Sequence, residues 1–63
     1  MKFKDLKNVL SSRDTYAINF DKKSFMCDYE SIDEVAKAYE LYDLNVKYIK
    51  SYGDDGIYII LIK

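Results

Sequence analysis

Residues 57 to 62 read Ile-Tyr-Ile-Ile-Leu-Ile, with Gly56 before them and Lys63 after. Such a run cannot stay in water, because burying one large apolar side chain is worth roughly 1.5–3 kcal/mol. β-Branched and aromatic residues in succession favour a strand over a helix. A half-buried strand alternates, whereas this one is apolar at odd and even positions alike. Cover is therefore needed on both of its faces, and the run predicts a central strand around which the other elements are arranged.

The chain has 63 residues, enough for one domain spanning 1–63. Domains of this size bury only about 60% of their unfolded surface, so stability is expected to be modest or supplemented by a partner. Disulfides and structural metals are the usual staples of small domains. Here Cys27 is the only cysteine and histidine is absent. An unpaired cysteine, no leader-type apolar region and an apolar run too short to span a bilayer point to the cytoplasm and to no membrane.

Phe3, Leu6, Val9 and Leu10 recur at helical spacing, which predicts an amphipathic helix from Lys2 to about Ser12. Alternation follows, with Tyr16, Ile18 and Phe20 on one face of a strand. Phe25, Cys27 and Tyr29 alternate in the same way after Asp21-Lys22-Lys23-Ser24. A four-residue turn there would pair Phe20 with Phe25, Ile18 with Cys27 and Tyr16 with Tyr29, all on one face. Ser31-x-x-Glu34 has the form of a capping box, and a helix from about Ser31 to Asp43 gathers Ile32, Val35, Ala36, Tyr39 and Tyr42 into one arc. Leu41 falls on the opposite arc, either exposed or covered by the helix end.

Asn45 to Tyr52 alternates again, and Gly53-Asp54-Asp55-Gly56 has turn composition. A regular hairpin here would put Val46, Tyr48 and Tyr52 beside Ile57, Ile59 and Leu61, leaving Ile49, Tyr58, Ile60 and Ile62 on the other side. The fold expected is α+β, in the order α-β-β-α-β-β, with a four-stranded, mainly antiparallel sheet and both helices on one face. Two short helices cannot also cover the second face. Ile49, Tyr58, Ile60 and Ile62 are thus candidate protein-binding residues.

Histidine chemistry is excluded by composition. Cys27, between Phe25 and Tyr29, is expected to be buried and inert. Asp28, Glu30, Asp33 and Glu34 lack a calcium-loop spacing and suit the positive end of a helix. No cofactor, metal site, small-molecule substrate or enzymatic activity is expected. Residues 28–43 do concentrate acid, with Asp28, Glu30, Asp33, Glu34, Glu40 and Asp43 against Lys37 alone. Asp33, Glu34 and Glu40 would present a negative helix face to a basic partner protein. With a net charge of −1 nucleic acid is not the expected partner. The alternative reading is a nucleic-acid-binding accessory factor using Lys2, Lys4, Lys7, Lys22 and Lys23.

Lys4-Asp5-Leu6 and Val9-Leu10, then Tyr16 to Phe20, then Leu44-Asn45-Val46-Lys47-Tyr48-Ile49 leading to Ile57 to Ile62, form an order that resembles small accessory proteins of phages and mobile elements of Gram-positive bacteria. The resemblance covers most of the chain through short apolar motifs. It implies a non-enzymatic protein that binds a partner, some such proteins disabling host defence enzymes. Self-association through a sheet face is the other form this expectation takes.

Overall fold

In the computed structural model, which describes residues 1–63, the elements follow the expected order. They are α1 (Phe3–Lys7), β1 (Thr15–Phe20), β2 (Lys23–Asp28), α2 (Ile32–Ala38), β3 (Asn45–Ser51) and β4 (Ile57–Ile62). The four strands form one sheet in the order β2-β1-β4-β3. The doubly apolar strand β4 is central, as its composition demands. Its neighbour β1 is the other strand buried on both faces, with Tyr16, Ala17 and Ile18 all out of water.

The sheet is mixed rather than mainly antiparallel. Each sequential hairpin is antiparallel, but the two hairpins meet through a parallel β1–β4 pair with Tyr16 opposite Ile57 and Ile18 opposite Ile59. Placing the two most apolar strands side by side in the centre keeps the more polar β2 and β3 at the edges. The core lies on the helix side, where Phe3, Leu6, Ile32, Ala36 and Leu41 pack on Tyr16, Ile18, Ile59 and Leu61. Tyr16 is wholly buried, and its hydroxyl donates to the Ser11 carbonyl at 2.6 Å.

The β1–β2 register differs from the expected one by two residues. Tyr16 faces Cys27, Ile18 faces Phe25 and Phe20 faces Lys23. Asp21 and Lys22 form a two-residue turn with φ of +50° and +67°, the left-handed conformation that tight hairpins use. A shift of two leaves every side chain on its expected face.

Both helices are shorter than their apolar periodicity suggests. α1 stops at Lys7, so Val9 is 75% exposed. Residues 1–3 instead lie beside residues 44–46: the Phe3 amide donates to the Leu44 carbonyl at 2.9 Å and the Val46 amide to the Met1 carbonyl at 2.8 Å. α2 ends at Ala38, five residues before Asp43, because Glu40 takes φ +55°. The Leu41 amide then bonds back to the Ala36 carbonyl at 2.8 Å, a Schellman-type stop. That reversal swings Leu41 from the outer arc into the core, where it is 1% exposed.

The second helix starts where expected, after Ser31, but its capping bonds are displaced. Ser31 makes no side-chain cap bond into α2. It acts one turn earlier: the Asp28 carboxylate accepts from the Ser31 amide at 2.9 Å, while Ser31 Oγ accepts from the Asp28 amide at 3.1 Å. These reciprocal bonds have the form of a capping box, with Asp28 in the place expected of Ser31. The Ser31 hydroxyl also donates to the Asp28 carboxylate at 2.9 Å, and that bond first, with the Ser31 amide second, lowers the Asp28 pKa.

Candidate interaction surface

The pairing of β3 with β4 decides which side chains reach the uncovered face. Val46 opposes Leu61, an even position facing an odd one as expected, but beyond it Tyr48 opposes Ile60, Ile49 opposes Ile59 and Lys50 opposes Tyr58. One extra residue, Lys47, is accommodated between Val46 and Tyr48 as a bulge. Because side chains alternate with a period of two, one inserted residue reverses every position after it. Tyr48 and Lys50 therefore lie on the open face with Tyr58, Ile60 and Ile62. Tyr52 joins them, its ring 4.5 Å from that of Tyr58.

This corrects the expected site. Ile49 does not belong with Tyr58, Ile60 and Ile62. It lies on the helix side opposite the buried Ile59, at the sheet edge where neither short helix reaches it. Tyr48 and Tyr52, expected beneath the helices, take the exposed positions instead. Nothing in the residues around Lys47 signals a bulge: no glycine marks it, and the alternation of Val46 and Tyr48 reads as regular.

The open face divides into two halves. Along β1 and β2 it shows Thr15, Ala17 and Asn19 with Ser24, Met26 and Asp28, small or polar residues apart from Met26. Along β4 and β3 it shows Tyr58, Ile60, Ile62, Tyr48 and Tyr52, an apolar and aromatic stripe. Tyr48 is 51% and Ile62 44% exposed. Lysine edges this stripe: Lys50 Nζ stands 5.1 Å over the Tyr52 ring, and Lys47 and Lys63 are exposed nearby. Where β1 and β4 finish side by side, Phe20, Asp21, Leu61, Ile62 and Lys63 line a shallow depression.

The acidic candidates behave differently. The Asp33 carboxylate accepts a short hydrogen bond from the Tyr42 hydroxyl and pairs with Lys37 at 3.1 Å. These contacts hold its pKa below the usual carboxylate range, Tyr42 contributing most. Burial first, and the Asp33 bond second, push the Tyr42 hydroxyl up to about 12. Asp33 thus ties α2 to the segment that follows it. Glu34 and Glu40 are exposed, but the left-handed turn at Glu40 places it outside the helix.

Among the lysines of the alternative reading, Lys2 Nζ donates to the Asp43 carbonyl at 2.9 Å and Lys4 pairs with the Asp43 carboxylate at 3.7 Å. Lys7 stands 6.0 Å over the Tyr29 ring, Lys22 lies in the β1–β2 turn and Lys23 begins β2. Cys27 is partly buried toward the helices, and burial first, then Asp28, raises its thiol pKa. No helix is long and apolar enough to cross a membrane.

Comparison with protein-family models, with curated proteins and with solved structures finds no match for this chain.

Proposed function

We propose that this chain is a non-enzymatic protein-binding module that docks a partner protein through the apolar half of its open sheet face. The reading rests on one observation: Tyr48, Tyr52, Tyr58, Ile60 and Ile62 form a continuous stripe that no helix covers. Tyrosine and aliphatic residues at the centre with lysine at the margin is the anatomy of a protein interface. The complementary surface is an apolar patch whose rim is acidic enough to meet Lys47, Lys50 and Lys63. In keeping with the resemblance to accessory proteins of phages and mobile elements, the partner is a host protein whose activity the module disables.

The experiment is affinity capture from a Gram-positive host lysate, followed by binding measurements with the purified partner. Tyr48→Asp and Ile62→Asp alter exposed positions, so they should abolish binding while circular dichroism stays native. Binding that survives both changes but is lost on charge reversal at Glu34 and Glu40 would transfer the site to the acidic surface.

A further inference from the structure

Edge strands carry backbone groups without partners, and native proteins usually blunt them. β3 is blunted three ways: by the bulge at Lys47, by lysines 47 and 50, and by the N-terminal residues, with Lys2 bridged to Asn45. Of these β2 has only a lysine, Lys23, at its turn end. Its register runs unbroken from Lys23 to Asp28, with no bulge and no proline.

The tight turn at Asp21-Lys22 determines which groups of β2 point away from the sheet. Phe20 and Lys23 flank the turn as a hydrogen-bonded pair, so Phe25 and Cys27 also exchange bonds with β1, and Ser24, Met26 and Asp28 direct their amides and carbonyls outward. Those of Asp28 are already taken by Ser31. Ser24 and Met26 retain theirs, and the Met26 side chain is 66% exposed.

We propose that β2 pairs antiparallel with β2 of a second copy, about a two-fold axis at Phe25, joining two four-stranded sheets into one continuous sheet. In this register Ser24 of each copy lies opposite Met26 of the other, and the hydrogen-bonded pairs use only the groups left free. Charge selects the occupant. β2 has Lys22 and Lys23 at one end and Asp28 and Glu30 at the other, so antiparallel self-pairing brings Lys22 opposite Asp28 at both ends, whereas parallel pairing would set like charge against like. This edge is separate from the Tyr48–Ile62 stripe, so one molecule can use both.

The test is sedimentation velocity together with residue-resolved amide exchange on the full chain over a range of concentration. The expected result is a reversible dimer in which the Ser24 and Met26 amides gain protection as the dimer fills. Met26→Pro removes only outward-facing amides, and losing one hydrogen bond per copy should weaken association about thirtyfold with circular dichroism unchanged. A Lys22→Glu/Lys23→Glu variant mixed with Glu30→Lys should form the heterodimer in preference to either homodimer. A chain that stays monomeric at ~1 mM would overturn the proposal. So would a dimer that tolerates Met26→Pro but is broken by Ile62→Asp, because association would then lie on the open face.

Discussion

Glu40 provides a quantitative test of how α2 stops. It follows the C-cap residue Tyr39 with φ +55°, a left-handed conformation costing an L residue with a side chain about 1–2 kcal/mol. Glycine would remove that strain, but its freer unfolded chain returns about 0.4–1 kcal/mol. The Glu40 side chain is exposed and makes no ion pair, so its removal forfeits no contact. Its charge also sits at the negative end of the helix, where a carboxylate is unfavourable by some tenths of a kcal/mol. Glu40→Gly should therefore stabilise the domain by about 0.5–1 kcal/mol, a rise in Tm of roughly 3–6 °C for a chain of this size. Thermal and urea unfolding followed by circular dichroism would measure it. Glu40→Ala is the decisive control, since it removes the charge and keeps the strained backbone. If Gly is no more stable than Ala, the left-handed turn is not the source of the strain and the argument fails.

Gly56 should be far less tolerant than Gly53. An added Cβ at Gly56 would lie 2.7 Å from Thr15 Oγ1 and 2.8 Å from the Thr15 carbonyl oxygen, at φ +95°, whereas Gly53 has open space at φ +62°. Gly56→Ala should cost about 2–5 kcal/mol and Gly53→Ala about 1 kcal/mol, compared by urea midpoints. Ile59→Ala, at a wholly buried central position, should cost about 2–5 kcal/mol, enough to leave a domain this small largely unfolded on the same titration. The Tyr42–Asp33 bond should shape stability at both ends of the pH scale. The Tyr42 pKa rises on folding from 10.0 to about 12, so its contribution is complete below pH 10.0 and is lost as pH climbs toward about 12. The Asp33 pKa falls below 3.8 on folding, so its contribution is complete above 3.8 and is lost as pH drops below that value through the lower folded pKa. Tyr42→Phe should make the alkaline loss smaller, leaving the share of the buried Tyr16, whose hydroxyl pKa burial also raises, and should reduce the acid loss; parallel stability–pH curves for the two proteins would show that the bond does not contribute.

The order of elements and the central place of Ile57–Ile62 were legible because apolar periodicity is a local property. The pairing of faces in the β1–β2 hairpin was legible too, since a register error of two residues preserves parity. The ends of the helices were not. Val9 continues the apolar pattern of α1, yet residues 1–3 bond to the chain at 44–46, a contact some forty positions distant. Leu41 looked peripheral because the left-handed turn at Glu40 has no glycine to announce it.

For the candidate site, Tyr58, Ile60 and Ile62 followed from β4 alone, because a strand apolar on both faces in a chain with only two short helices must leave one face open. Ile49 and Tyr48 exchanged sides for a reason no local pattern contains. β3 has one residue more than its partner can match, and the strain is taken up at Lys47, where the long-range pairing with β4 tolerates a bulge. Composition and periodicity therefore settle that an apolar face exists and which strand forms its centre. The three-dimensional pairing decides which tyrosines complete it and which edge of the sheet stays open, because parity and edge position depend on contacts between residues far apart in the chain.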